Sequence, residues 1–230
     1  MKLTFLVPTT SKNRDWRVWN DTYLAKILLP SIDNSKHDIE VYIGYGTEDN
    51  FFMNKDNRKE IFNNIKIRWF PFTNYVGNPC GIWNELAKIC DSEYMFVCGD
   101  DIKLHNDSNW MDVFEANLKS NNNMGWGAGW SNNDSIPTQF MIHQNHLKIF
   151  GFVYPPEIRN WFCDNWMHDI YPENMRYWNK EIKHTNNGGP ERYKPVRVNA
   201  SDYSKIVNKY SDLVGKYICE KNGRTYPPIN

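Results

Sequence analysis

Apolar residues come in short solid blocks through the first hundred positions, and each block stops at a turn former. Leu3–Val7 is closed by Pro8, and Ile39–Tyr45 runs into a Gly/Asp/Asn-rich loop. Ile65–Phe70 ends at Pro71, and Glu93–Cys98 empties into Gly99-Asp100-Asp101. Solid blocks of this length, without strict alternation, are the mark of strands buried on both faces. Between them the spacing becomes helical: Tyr23, Leu24, Ile27 and Leu28 share a face within 19–29, with Asp21 as N-cap and Pro30 as stop. Ile82, Leu86, Ile89 and Cys90 do the same within 79–90. Strand and helix in turn predict an α/β fold, with a mostly parallel central sheet flanked by helices.

Beyond residue 104 the pattern loosens. Asn is abundant, and Gly and Trp cluster in GWGAGW (125–130). A strand followed by a short helix is expected within 136–150, a helix over 164–171, a loop over 185–195, and a closing amphipathic helix over 201–219 capped by Ser201. No repeat or linker divides the chain. The expectation is one domain, 1–230, with two functional halves, 1–104 and 105–230.

Composition narrows the function. With 27 Lys+Arg against 27 Asp+Glu and a pI near 7.0, the chain lacks the basic face of a nucleic-acid binder. A mean hydropathy of −0.70 and the lack of a long apolar run argue against an integral membrane protein. At 40% apolar and 15% aromatic residues, the chain has the material for a core. Five cysteines (Cys80, Cys90, Cys98, Cys163, Cys219), odd in number and without CxxC spacing, point to buried free thiols. MKLTFLVPTT holds too short an apolar stretch for a signal peptide, so a soluble cytoplasmic protein without a membrane anchor is expected.

Ligands of parallel α/β sheets gather beyond the carboxyl ends of the strands. There Asp100 and Asp101 stand side by side at the mouth of a buried strand. Two such carboxylates repel and are desolvated, and a hard divalent cation bridging to phosphate oxygens relieves both effects. Asp-Asp pairs also cap helices and shape surface turns. His143 and His146 have HxxH spacing, but with no acidic partner nearby they read as helix-surface residues.

EYMFVCGDDI (93–102), preceded by Asn84 in GIWNELAKIC, resembles the core of GT-A nucleotide-sugar glycosyltransferases. LTFLVPTTSKNRD resembles their first strand and loop, FGFVYPPEIRNWFCDNWMHDIY their acceptor-side stretch, and HTNNGGPERY their His-bearing C-terminal loop. The likeness runs over residues 3–192 and extends to small glycosyltransferases of large algal DNA viruses, which decorate capsid proteins. It implies a GT-A, Rossmann-like fold and an inverting, metal-dependent transfer of sugar. The donor would be a nucleotide-sugar, UDP-sugar by family frequency, and the acceptor a hydroxyl of a glycan or glycoprotein. Mn²⁺ or Mg²⁺ would be the cofactor.

Carried over residue by residue, Pro8 and Thr9 border the base, Asn84 belongs to the donor side, Asp100 holds the ribose and Asp101 ligates the metal. His184 completes the metal shell. Asp164 is the general base, a position where an Asp could equally serve as helix N-cap, and Asp169 is the reserve. Trp126, Trp130, Trp161 and Trp166 flank the proposed acceptor side, and Trp130, Trp161 and Trp166 are the candidates to stack on sugar, although tryptophans more often fill cores. The Gly188-Gly189 pair fits a mobile loop ordering over bound donor.

The chain departs from this pattern in two places. Gly44-Tyr45-Gly46 stands where many relatives carry an Asp that reads uracil, so Asp49 swings in, Tyr45 stacks on the base, or the base differs. Gly99 replaces the first acid of a full Asp-x-Asp triplet. A sugar-1-phosphate nucleotidyltransferase has a similar layout but opens with a Gly-rich phosphate loop, and VPTTSKNR has no glycine. A non-enzymatic carbohydrate-binding protein is the remaining alternative.

Overall fold

Each solid apolar block of the first hundred residues forms a strand. The computed structural model describes residues 1–107, 109–131, 135–194 and 196–226. Its strands begin with β1 (Lys2–Pro8), β2 (Asp38–Gly46), the short β3 (Ile61–Phe62), β4 (Ile65–Phe72) and β5 (Tyr94–Val97). The two-residue β6 (Ile102–Lys103) follows, then β7 (Trp126–Trp130), β8 (Phe140–His143), β9 (Arg176–Lys183) and the short β10 (Thr185–Asn186). The α-helices are α1 (Asn50–Met53), α2 (Pro79–Ile89), α3 (Asn109–Ser120), α4 (Asn145–Phe150), α5 (Cys163–Ile170), α6 (Ala200–Tyr210) and α7 (Leu213–Lys221).

Eight strands form one sheet in the order β3-β4-β2-β1-β5-β8-β7-β9, while β6 and β10 make a separate antiparallel pair. β4, β2, β1 and β5 run parallel. From β1 the chain moves outward through β2 to β4, then crosses back to place β5 on the other side of β1. That reversal creates a crevice beyond the carboxyl ends of β1 and β5. Along β1, Leu3, Phe5 and Val7 enter one core layer with Leu24, Leu28, Trp110 and Phe114, while Leu6 enters the other with Leu86, Met95 and Val97. Burial on both faces is why these strands are written as solid apolar blocks. Pro71 is tolerated because β4 pairs with β3 only at Lys66 and Ile65, so the outer edge at Pro71 has no ladder bond to lose.

Several local expectations are corrected. The stretch expected as a helix over 19–29 is a series of turns: 3₁₀ at Trp19–Asp21 and Leu29–Ser31, flanking a π-helical Leu24–Leu28. Asp21 does not cap forward; its carboxylate turns back to accept from the Arg17 and Val18 N–H groups, and Pro30 lies inside the last turn. The closing helix is broken between α6 and α7, and Asn199, not Ser201, caps it by accepting from the Asp202 N–H at 2.8 Å. Asn199 has the extended backbone an N-cap needs, whereas Ser201 is already helical.

The second half holds more strands than its pattern suggests. GWGAGW carries β7, which pairs with β9 in parallel and with β8 at Gly127. Gly125 is required at its start: φ is +87°, and a Cβ there would sit 1.8 Å from the Met175 carbonyl oxygen. Part of the expected 185–195 loop is β10. His143 and His146 are not helix-surface residues. His143 ends β8, buried against the Tyr94 ring, and His146 is buried in α4 between the Tyr171 hydroxyl and the Val153 carbonyl. All five cysteines are free thiols. Among the described residues no helix is long and apolar enough to cross a membrane.

Candidate active site

The crevice at the strand reversal is a cleft of about 450 Å³. Its floor joins the ends of β1 and β5. The Trp83 indole N–H, reaching from α2, is shared between the Leu6 carbonyl at 3.0 Å and the Cys98 carbonyl at 3.3 Å, pinning the two strand ends together. Just beyond the strand ends, the Thr9 hydroxyl donates to Asp100 Oδ2 at 2.6 Å. Asp100 is 1% exposed, and its other oxygen accepts from Arg192 at 2.6 Å. A carboxylate this deeply buried stays charged only with such partners. Asp100 is therefore fully engaged within the protein.

Asp101 differs. It is half-buried, lines the cleft, and among the described residues no side chain donates to its carboxylate. Burial and the neighbouring Asp100 push its carboxyl up to about 6, against the opposing pull of Arg192 and Arg14. The 187–193 segment wraps across this acid pair. The Asn187 N–H donates to the Asp101 carbonyl at 2.9 Å, and Gly188 passes so close that a Cβ would lie 2.5 Å from Asp101 Oδ2. Arg14 donates to the Pro190 carbonyl at 2.9 Å, Asn13 to the Glu191 carbonyl at 3.1 Å, and the Tyr193 and Thr10 hydroxyls are 3.1 Å apart. The Tyr23 ring lies beneath both guanidinium groups, at 5.2 Å from Arg14 and 5.6 Å from Arg192. Two arginines and one free carboxylate thus share the end of the cleft.

Asp164 stands in the first turn of α5, at the second helical position; the residue at the N-cap is Phe162. It does not line the cleft, but Asn160 and Trp161, just before it, do. This loop is tied to the start of α2 by the Cys80 N–H donating to the Arg159 carbonyl at 3.3 Å. Burial lifts the Asp164 carboxyl to about 6, while the Cys163 thiol, donating at 3.4 Å, pulls the other way. Desolvation outweighs the helix N-terminus here. The group still titrates below neutrality, in the range useful to a base.

Other candidates sit elsewhere. His184 does not approach Asp101 as a ligand. It is fully buried against Phe96, Trp110 and Phe114, its Nδ1 accepts from the His105 N–H at 3.2 Å, and burial drives it down to about 3. No group of three or more His, Cys, Asp or Glu is placed to hold a metal ion among the described residues. Asn84 is a structural clasp rather than a donor contact: its amide accepts from the Val153 and Tyr154 N–H groups and donates to the Tyr154 carbonyl, all within 2.9 Å. Asp49 does not swing into the cleft. It caps α1 and holds the Thr10–Ser11 turn through the Ser11 N–H and both hydroxyls. Tyr45 cannot stack on a base, being 1% exposed in the core with its hydroxyl against Arg58.

Of the tryptophans, Trp166 and Trp126 are core residues, and Trp130 ends β7 outside the cleft lining. Trp161 is 44% exposed and lines the cleft. The reserve acid Asp169 accepts from the Tyr203 hydroxyl at 2.5 Å and ties α5 to α6. Pro8, Thr9, Asp100 and Asp101 are brought together as expected. Arg14, Arg192, Tyr75, Asn78 and Trp83 line the cleft without having been singled out by sequence, and Glu48, the acid next to Asp49 after the second strand, lines it too. Trp83 alone carried a signal, as a tryptophan beside Asn84 on the helix entering the site.

The sheet order and the flanking helices are those of a GT-A fold. No protein-family model and no curated protein matches the sequence. Solved structures do. The mannosyltransferase PcManGT from Pyrobaculum calidifontis, in complex with GDP-Man and Mn²⁺, superposes with a TM-score of 0.58 at 11% identity, over 98% of this chain and 65% of that one. S. aureus TarS 1–349 in complex with UDP-GlcNAc gives 0.57 at 14% identity, over 93% and 66%. Glucosyl-3-phosphoglycerate synthase from Mycobacterium tuberculosis, with Mn²⁺, UDP and phosphoglyceric acid, gives 0.52 at 6% identity, over 93% and 77%. The chain thus spans less than two-thirds of the length of the first two. At these identities the fold is what is shared.

Proposed function

We propose that this chain is a cytoplasmic glycosyltransferase that moves a sugar from a nucleotide-sugar, UDP-sugar being favoured, to a hydroxyl of a glycan or glycoprotein, with inversion. The 1–104 half would hold the donor and the 105–230 half the acceptor. The observation that carries this reading is the Asp100–Asp101 pair at the β1/β5 reversal, with Asp100 locked into the fold and Asp101 left free beside two arginines. Pro8, Thr9 and Glu48 line the cleft where the nucleoside would lie, and Glu48, not Asp49, is the acid within reach of a base.

The donor set fits a cation only in part supplied by protein. Asp101 offers one carboxylate, and Mg²⁺ or Mn²⁺ shared with substrate phosphates and water asks for no more than one or two. When bound, such an ion would act as a Lewis acid on the departing diphosphate. The chain's own contribution at this end is charge: Arg14 and Arg192 can neutralise phosphate oxygens, the fork of Arg192 being already desolvated and oriented. At the other end Asp164, ionised above about pH 6, would take the proton from the acceptor hydroxyl. An acceptor protein such as a capsid glycoprotein is one extension of this proposal.

Asp101→Ala tests the donor half. Loss of several kcal/mol of charge stabilisation corresponds to at least about a hundredfold in rate. Release of nucleoside diphosphate from UDP-sugar should fall by that factor, while the variant is no less stable than the parent, because no side chain donates to the Asp101 carboxylate and its raised carboxyl already costs stability at neutral pH. Undiminished turnover would remove the assignment.

A further inference from the structure

The acceptor-side wall continues past the donor cleft. Trp161 lines the cleft and, together with Phe162, Asn165, Arg197, Val198 and Asn199, also lines a second open recess of about 490 Å³. Phe162 is held in the left-handed region at φ 76°, an unfavourable backbone for a bulky residue. Its ring packs on Tyr203 with centroids 5.0 Å apart, and Trp161 is left outward at 44% exposure. Over the Trp161 ring lies the Arg197 guanidinium, 3.9 Å from its centre. Arg197 is exposed and forms no ion pair among the described residues.

A guanidinium held over an indole is attracted to the ring face, and no hydrogen bond within the described residues uses the Arg197 N–H groups. Beside an exposed aromatic wall and two asparagine side chains, that edge is suited to a sugar bearing a carboxylate or phosphate. The ring would lie on apolar surface and the anion would take a charge-assisted pair of hydrogen bonds. Trp161 lines both the donor cleft and the recess, so the two adjoin along this wall. We propose that this recess is an acceptor subsite for an anionic glycan, with Arg197 as its charge reader. The assignment of the recess to an acceptor rests on the glycosyltransferase reading above.

The test is calorimetric titration of the whole chain with methyl glucoside, glucuronate and glucose 6-phosphate. The two charged sugars separate a carboxylate from a phosphate preference. In the parent protein at low salt, at least one charged sugar should bind about tenfold or more tightly than the neutral one, with the advantage shrinking as salt is added. Arg197→Gln should bring it to the neutral level while leaving UDP binding unchanged, since Arg197 lies outside the donor cleft. Trp161→Ala should weaken all three sugars. Equal affinity for neutral and charged sugars in the parent, or a charge preference that survives Arg197→Gln, would overturn the subsite. A parent that prefers the charged sugars but binds no nucleotide would keep the subsite and sink the transferase reading.

Discussion

Asp164→Asn is expected to slow sugar transfer by about 10²–10⁴-fold, the range associated with removal of a general base, while donor binding stays unchanged. Asp164 is placed at the start of α5 behind Asn160 and Trp161, away from the arginines and the acid pair that would hold the diphosphate. Losing it should therefore touch kcat rather than nucleotide affinity. With the carboxyl at about 6, the parent's rate should rise through that pH and level off above it, and this acid limb should vanish in the variant. The linkage has the opposite sign for stability. The folded carboxyl is raised from 3.8 to about 6, so the folded state retains a proton that the unfolded chain gives up. Stability falls as pH rises between those values, and the deficit persists above them. Asp164→Asn should accordingly raise Tm at neutral pH, with the gain disappearing below about pH 4. Normal turnover by a folded Asp164→Asn enzyme would remove the base assignment.

Asp100→Ala should act on the fold itself. Arg192 is half-buried, and its charge is held by the fully buried Asp100; burial works against the guanidinium and the carboxylate more than offsets it. Removing one member of a buried ion pair typically costs about 3–5 kcal/mol because the other charge is left uncompensated. Thr9 loses its acceptor as well. For a chain of this size the expected drop in Tm is on the order of 10 °C, read by thermal unfolding. Asp100→Asn, which keeps an acceptor for the Thr9 hydroxyl, should lose less. A loss under about 1 kcal/mol would mean that the 187–193 segment is not clamped through this pair.

What was legible in the sequence follows from how each part is buried. β1, β2, β4 and β5 are covered on both faces and announce themselves as apolar blocks. β9, RYWNKEIK, lies at the sheet edge and is mostly half-buried or exposed, so its side chains carry no clear period. β7 carries glycine at two of its five positions because close neighbours leave no room: a Cβ on Gly127 would lie 2.9 Å from Phe114. Asp100 and Asp101 could be read because they follow a buried strand directly. Arg192 could not, since its partner is 92 residues away. The surroundings of His184 and Asn84 were hidden for the same reason. The aromatic cage around His184 comes from Phe96, Trp110 and Phe114, and the backbone that engages Asn84 lies at 153–154. Local sequence gave their chemistry but not their surroundings.

Thermal unfolding with UDP, GDP and CMP, each with and without Mn²⁺, in the parent and in Asp101→Ala, bears most directly on the claim that the cleft holds a nucleotide-sugar. A ligand at about a hundredfold its Kd adds about 2.7 kcal/mol, a rise on the order of 5–10 °C for a chain of this length. One nucleotide should produce that rise in the parent when Mn²⁺ is present, and Asp101→Ala should abolish it. No shift with any nucleotide under either condition would contradict the account.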